Sequence, residues 1–160
     1  MNDSNFTFRG QRPDEKVLQV VRRHPIVFFW PLLQATLVLA VAIIIQIFFG
    51  FGTAFYTVAV LAAFFIFAVL FKIFFIFNNS FCLITSQRVI SVDQKGFFNR
   101  IITETEFSKI QDVSNSTAGM IGTTLNVGQV IIQTAGKENK LIIKQIPDPY
   151  QIQQEITKNI

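Results

Sequence analysis

The side chains that most often carry chemistry in proteins are scarce in this sequence, which has one histidine, His24, and one cysteine, Cys82. A cysteine nucleophile needs a positioned base, which is usually a histidine. His24 directly precedes a long apolar stretch and Cys82 lies in a β-prone run after it, so nothing in the sequence brings the two together. We predict that Cys82 is a buried, unreactive core thiol. A single cysteine forms no intramolecular disulfide, which fits a reducing cytoplasmic location.

Paired carboxylates and metal ligands are equally rare. Glu104 and Glu106 would share one face of a strand about 7 Å apart, and hydrolases do use such pairs. Acidic residues on the solvent face of a strand are much commoner than catalytic pairs. One histidine and one cysteine do not build a usual zinc site, and no EF-hand or P-loop pattern occurs. We therefore predict no enzymatic activity, no cofactor and no metal site.

The distribution of charge argues against a nucleic-acid partner. The formal net charge is +4, but basic and acidic residues nearly balance from residue 78 onward. Binding to nucleic acid draws on a concentrated basic surface that neutralises phosphates. The excess positive charge lies mainly before and at the end of the apolar stretch, so we predict that the chain binds no nucleic acid.

The apolar stretch itself runs over residues 25–71 without an Asp, Glu, Lys, Arg or His and is divided by Gly50 and Gly52. A bilayer core about 30 Å thick needs roughly 20 apolar residues in a helix. We predict a transmembrane hairpin over residues 26–77, with spans at about residues 31–49 and 53–71. A buried helical hairpin in a soluble core is the competing interpretation, but the polar stripe of a water-facing helix is absent.

The flanking charges predict the orientation of this hairpin. Basic residues precede the first span and follow the second, whereas the turn has none, so the positive-inside rule places both termini in the cytoplasm. The chain is then a multi-pass protein of the cell membrane, with a retained anchor rather than a cleaved signal peptide. We expect four residues at the membrane interface, of which Lys72 would extend its long side chain to the headgroups: Arg22, Arg23, Trp30 and Lys72.

The first 25 residues form the next predicted segment, on the cytoplasmic side. Pro13, Asp14 and Glu15 are typical of a helix start, and the valines and leucine at 17, 18, 20 and 21 would form one apolar face. This pattern is typical of a short helix lying in the membrane surface. Basic residues near anionic lipid would fix its depth.

Residues 78–160 have the composition of a small soluble domain. Short β-prone runs separated by turn residues predict strands at 80–85, 88–93, 100–107, 110–114, 125–134 and 140–146. Asp148 is a good N-cap and Pro149 a good first residue for a final helix, whose apolar residues recur every four positions at Ile152, Ile156 and Ile160. We predict an α+β membrane protein in which a β-barrel or sandwich, capped by this helix, follows the transmembrane hairpin.

Motifs along nearly the whole chain resemble the bacterial pleckstrin-homology-like (PH-like) integral membrane protein family. They are Glu15 to Arg22-Arg23-His24-Pro25 with the double span, Phe81-x-Leu83-x-Thr85-x-x-Arg88-Val89-Ile90, Gly96 with Arg100, Lys109-Ile110-Gln111-Asp112-Val113, Gly128-x-Val130, Thr134-x-Gly136 and Ile146-Pro147-Asp148-Pro149. The resemblance implies a PH-like split barrel on the cytoplasmic side of a bacterial cell membrane.

The resemblance does not imply a particular ligand. Phosphoinositide-binding eukaryotic relatives carry a dense Lys/Arg cluster in their first hairpin. Residues 80–98 offer only Arg88 and Lys95, offset by Asp93. Phe81 stands where the family often has Tyr, which removes a hydroxyl.

Two functions follow from these observations. The first is a non-enzymatic integral membrane protein whose PH-like domain binds membrane lipid or a protein partner. The partner would be a membrane or cytoplasmic protein, such as a related membrane protein. The contact surface would be strand edges or a loop such as 115–124. The alternative is an oligomeric channel or transporter component, in which Gln34 and Gln46 face inward. The spans hold no acidic residue, the usual mark of an ion pathway.

Overall fold

The computed structural model describes Phe8, residues 10–135 and residues 140–160. The residues outside these ranges include Gly136 of the motif Thr134-x-Gly136. The chain divides into a helical unit of residues 25–78 and a β unit built from residues on either side of it, which end at His24 and begin again at Asn79.

The helical unit contains a 3₁₀ turn, Pro25–Phe28, followed by α1, Phe29–Phe49, and α2, Thr53–Asn79. The turn between α1 and α2 was predicted correctly: Gly50 ends α1 with a positive φ of 69° and donates its N–H to the carbonyl of Gln46. Left-handed backbone of this kind is tolerated best by glycine. Both helices are long and apolar enough to cross a bilayer, judged by length and composition. The second continues well beyond the predicted limit at residue 71.

The two helices turn a narrow stripe of side chains away from solvent and leave the rest exposed. Ala42 is the one buried side chain among the described residues of α1 and α2. Partly buried positions in α2 repeat at alternating intervals of four and three residues, as at 55, 59, 62, 66, 69, 73 and 76. Such spacing is typical of the seam between packed helices. The remaining surface is covered by large apolar side chains.

The first sheet of the β unit has the antiparallel order β1-β2-β3-β4. Its strands are β1, Val17–Arg22; β2, Phe81–Thr85; β3, Arg88–Gln94; and β4, Arg100–Glu106. The last three agree with the predicted strands to within one residue at each end. β1 precedes the helical unit in sequence and pairs with β2, which follows it, so Arg22 lies opposite Phe81.

The prediction of an interfacial helix in the first 25 residues was wrong, because this segment forms β1 and belongs to the β unit. Val17 and Val21 are buried, while Leu18 and Arg22 are exposed. A separation of four residues fits one face of a helix and equally one face of a strand. The valines favour the strand, and β2 provides hydrogen-bond partners that sequence inspection did not consider.

The second sheet has the antiparallel order β5-β6-β7 and is followed by the C-terminal helix. Its elements are β5, Ile110–Ser116; α3, Gly119–Thr124; β6, Val127–Thr134; β7, Lys140–Pro147; and α4, Pro149–Thr157. The predicted cap is confirmed, since the Asp148 carboxylate accepts a hydrogen bond from the N–H of Gln151 at 3.2 Å. Ile152 and Ile156 are buried as predicted, whereas Ile160 lies beyond the helix and is exposed.

The core of the β unit lies between the two sheets and α4. Its most deeply buried members come from both sheets and the helix: Cys82, Ile84, Val89, Val130, Ile132, Ile146 and Ile156. The sheets remain two separate hydrogen-bonded layers and do not form a closed barrel. The architecture is therefore a two-sheet, helix-capped domain with a helical hairpin inserted between its first two strands.

Candidate functional site

The insertion of the helices defines one end of the first sheet. Arg22 of β1, Phe81 of β2, Val92 of β3 and Ile102 of β4 form one row across the strands. The chain leaves for the helices after the first of these residues and returns just before the second. We call this edge, with the β3–β4 turn that projects past it, the junction end.

Two of the predicted interface residues lie at the junction end. Arg22 is exposed at the end of β1. Arg23 forms an ion pair with Asp93 of β3, and its side chain is 20% exposed. The N–H of the next residue, His24, donates to the carbonyl of Gln145 in β7 at 2.6 Å. Arg23 therefore helps to hold the chain at the point where it leaves the sheet, a role that the sequence did not indicate.

The other two predicted interface residues belong to the helical unit. Trp30 is the second residue of α1 and is largely exposed. Lys72 is exposed and lies inside α2, which continues to Asn79. The structure thus assigns the four predicted residues to two different units, two in each. Their contact with lipid remains a prediction.

The turn between β3 and β4 carries an aromatic pair that sequence inspection overlooked. Phe98 is fully exposed, Phe97 is half-exposed, and Ile102 nearby on β4 is also exposed. Lys95 and Arg100, both exposed, flank the pair. The available signal was the sequence Gly-Phe-Phe in a position that had been recognised only as a turn.

At the other end of the same sheet, Arg88 and Glu15 form a buried ion pair. The Nε and Nη2 of Arg88 donate to the two carboxylate oxygens of Glu15 at 2.9 and 3.0 Å. Nη1 of Arg88 donates to Glu104 at 2.6 Å, and Nη2 also donates to the carbonyl of Gly10 at 2.9 Å. The hydroxyl of Thr85 donates to Glu15 at 2.8 Å. Arg88 and Glu15 therefore connect residues 10–15 to β2, β3 and β4.

The electrostatics of this pair follow from its burial and its partners. Burial opposes ionisation of Glu15, but hydrogen bonds from Arg88, from the N–H of Arg12 and from Thr85 outweigh it and lower the pKa of Glu15. The same pairing raises the pKa of Arg88. Both groups therefore stay charged at neutral pH.

Glu104 and Glu106 do not act as a matched carboxylate pair. Glu104 accepts from Arg88, whereas Glu106 accepts from Arg12 at 2.9 Å and contacts Lys109 at 3.2 Å. The hydrogen bond from Arg12, reinforced by Lys109, lowers the pKa of Glu106. Carboxylates committed to separate cations fit a stabilising role, not acid–base catalysis.

The remaining candidates for chemistry are not arranged for it. Cys82 is 1% exposed, and burial raises the pKa of its thiol to about 12. The prediction of a buried thiol is therefore confirmed. Within the described ranges, no group of three or more His, Cys, Asp or Glu side chains could hold a metal ion. An open groove of about 420 Å³ beside β4 and β7 is lined by Glu104, Lys109, Lys140, three threonines and two small or apolar residues.

These observations define a class: a small domain of the PH-like type, built from sheets of four and three strands with a C-terminal helix. The sequence matches the family model of the bacterial PH domain over residues 28–160. The chain therefore belongs to the bacterial PH domain family, as the resemblance of its motifs indicated.

Two solved structures are similar to the chain. One is a protein with a pleckstrin-homology domain from Shewanella loihica, at 18% identity and a TM-score of 0.39, covering 49% of this chain and 68% of that one. The other is a pleckstrin-homology domain from Shewanella amazonensis, at 19% identity and a TM-score of 0.41, covering 50% of this chain and 65% of that one. No curated protein matches this chain.

The position of β1 corrects the comparison with phosphoinositide-binding relatives. Residues 80–98 contain β2 and β3, so they are not the first hairpin of the domain. The first hairpin consists of β1 and β2, and the segment that joins them is the helical unit. In this chain α1 and α2 therefore form the connection between the two strands of the first hairpin.

Proposed function

We propose that this chain is an integral membrane protein that presents a non-enzymatic, PH-like binding domain at the cytoplasmic face of the cell membrane. The observation that carries the proposal is the insertion of two apolar helices between β1 and β2. Helices inserted within a domain connect to it twice, so a bilayer that holds them also holds the domain at its surface. The ligands would be membrane lipid, or a membrane or cytoplasmic protein, including a related membrane protein.

The apolar surface of the helical unit supports the membrane part of this proposal. Leu37, Ile47, Phe48 and Phe64 are each more than half exposed. Burial of such side chains is worth about 1.5–3 kcal/mol each, so a helix pair in water would leave much of that stabilisation unrealised. Lipid is the solvent in which these faces are favourable, because helices satisfy their own backbone hydrogen bonds there.

The chemistry of the β unit supports a binding role. The two adjacent carboxylates of β4, Glu104 and Glu106, pair with arginine or lysine, and the Cys82 thiol is buried. Two groups of its exposed apolar side chains lie on connections between strands. One cluster is Met120 and Ile121 of α3, within the segment 115–124 expected as a contact surface.

The proposal is tested in two steps on the full chain in cells. Alkaline carbonate extraction should leave the protein in the membrane pellet. A photo-crosslinking amino acid at Met120 should then give a discrete lipid or protein adduct, confirmed from the partner's side, that is absent with the crosslinker at exposed Gln111 of β5. Release of the protein by carbonate would contradict the membrane assignment. Equal crosslinking patterns at both positions would contradict the role of α3 as a contact surface.

An oligomeric channel or transporter component is the second candidate. Gln34 supports it, because this polar side chain is exposed on α1 and would find a hydrogen-bond partner on a neighbouring copy. Gln46 is half-buried near the end of the same helix. Ion flux into liposomes that disappears after Gln46→Leu would favour this candidate. No flux from the unaltered protein would contradict it.

A further inference from the structure

The β3–β4 turn presents exposed apolar surface. Phe98 is more exposed than any other large apolar residue described in the β unit, and Phe97 and Ile102 add to the same projection. Side chains of this size are usually buried, so a pair at the tip of a hairpin marks an interaction surface. We call Phe97 and Phe98 the tip.

The backbone of the tip is held in place by a buried polar side chain. The side-chain amide of Gln94 donates to the carbonyl of Gly96 at 2.5 Å and lies 3.5 Å from the carbonyl of Phe97. Gln94 is 6% exposed, and its own N–H donates to the hydroxyl of Ser80 at 3.1 Å. The N–H of Lys95 closes the turn by donating to the carbonyl of Asn99 at 2.9 Å. Hydrogen bonds therefore fix the backbone that carries the two phenylalanines.

The register of the sheet places the tip at the junction end. Phe81 lies opposite Val92, and Gln94 lies opposite Arg100, so β3 ends two residues beyond the row in which the chain leaves and re-enters the sheet, and the turn follows. Only Ser80 separates α2 from β2. The tip therefore lies at the end of the sheet where the chain connects to the two apolar helices, whereas Arg88 lies at the opposite end.

The charges around the tip are complementary to an anionic lipid surface. Lys95 and Arg100, which flank the tip in sequence, are exposed. Asp93, two residues before Lys95, is paired with Arg23. An apolar tip flanked by cations inserts between lipid tails while the cations meet anionic headgroups.

We propose that the tip inserts into the cytoplasmic leaflet of the protein's own membrane, with Lys95 and Arg100 on anionic headgroups and Gln94 as the residue that positions it. The insertion would fix the orientation of the domain on the bilayer. It rests on the proposed membrane anchoring, and it adds a lipid contact outside the two helices.

The test is fluorescence of the full chain in liposomes of phosphatidylethanolamine and phosphatidylglycerol. An environment-sensitive probe is attached at F98C, with a matched probe at S108C, an exposed position beyond the far end of β4. Buried Cys82 stays unlabelled in both. We expect a blue-shifted probe at position 98 that loses most of its emission when brominated lipids are used. The probe at position 108 should keep a water-like spectrum.

Two further variants test the mechanism in the same liposomes. Combining Lys95→Gln with Arg100→Gln should reduce the blue shift at position 98 and remove its dependence on phosphatidylglycerol. Gln94→Leu should reduce quenching by brominated lipids without releasing the protein from the membrane. Unchanged quenching after Gln94→Leu would contradict the positioning role.

Several outcomes would overturn the insertion. If the probe at position 98 stays water-like in a protein that resists carbonate extraction, the lipid contact is wrong while the anchoring stands. A blue shift that brominated lipids do not quench would assign the tip to a protein partner or a second copy. Release of the protein by carbonate would refute both the anchoring and the insertion.

Discussion

At the scale of residues, the structure separates side chains that stabilise the domain from those that face outward. Arg88 and Glu15 lie 73 positions apart in sequence and share a buried, two-bond ion pair. Sequence motifs do not predict such a pair, because the residues next to Arg88 and Glu15 in sequence do not indicate which distant residue each will contact. The same holds for Arg23 and Asp93. Burial of Cys82 could be predicted, since the residues around it are apolar and no base accompanies it.

Replacing Arg88 should destabilise the β unit strongly. Arg88→Met leaves the Glu15 carboxylate buried without its cation, which costs about 3–5 kcal/mol. The matched control is Arg100→Met, at an exposed arginine on the same sheet, which should change stability by less than about 0.5 kcal/mol. Urea denaturation of the full chain in mild detergent measures both. Equal effects of the two substitutions would contradict the structural role of the pair.

Acidification should weaken the same cluster. The pKa of Glu15 is lowered in the folded state, so its contribution to stability is present above its unfolded pKa of about 4.5 and is lost as the pH falls through the folded value. Glu15→Gln removes this group from the titration. The variant should be less stable at neutral pH but lose less stability below pH about 4.5. Parallel pH profiles of the free energy of unfolding would refute the assignment.

The Cys82 thiol should be inert in the folded protein. It is almost fully buried, and its pKa is raised to about 12, so little thiolate exists at neutral pH. We expect no reaction with a maleimide under native conditions and rapid reaction in denaturant, as followed by mass spectrometry. Rapid native labelling, with the S108C variant as the positive control, would contradict the burial.

At the scale of elements, most boundaries follow from local patterns and one element does not. Period-two alternation and turn residues located six strands, and Asp148 with Pro149 located the start of α4. β1 was misassigned because the spacing of Val17 and Val21 satisfies both a helix and a strand. Its partner β2 lies beyond the helical hairpin, so local sequence holds no sign of the pairing. The exposed tip was missed for a related reason. Turn residues in the sequence predict the backbone conformation, but they do not predict which side chains of the turn remain exposed.

The close packing of β5, β6 and α4 around Gly128 leads to a prediction about stability. A Cβ on Gly128 would lie within 3.1 Å of the Ser116 backbone and the ring of Pro149. Gly128→Ala therefore forces these elements apart and should cost about 1–3 kcal/mol. Gly96→Ala is the control, because space around Gly96 is open. The midpoint temperature of thermal unfolding measures both effects. An equal decrease of this temperature in the two variants would contradict the close packing.

At the scale of the whole molecule, the two apolar helices lie between β1 and β2 in the chain, so the proposed anchor and the proposed binding domain are connected twice. A domain whose first two strands are joined by two apolar helices has no free basic loop at that connection. The contact surfaces proposed for the described β unit are the tip and α3. The family could be recognised from ordered motifs along the chain. The insertion of the helices between the first two strands could not be predicted, because it depends on the pairing of β1 with β2.

The central claim, a membrane hairpin with its domain in the cytoplasm, is tested most directly by cysteine accessibility in intact cells. F51C places a thiol in the exposed turn between α1 and α2, and S108C places one on the β unit. A membrane-impermeant maleimide should label position 51 in intact cells and position 108 only after permeabilisation. Labelling of position 108 in intact cells, with position 51 protected, would contradict the account.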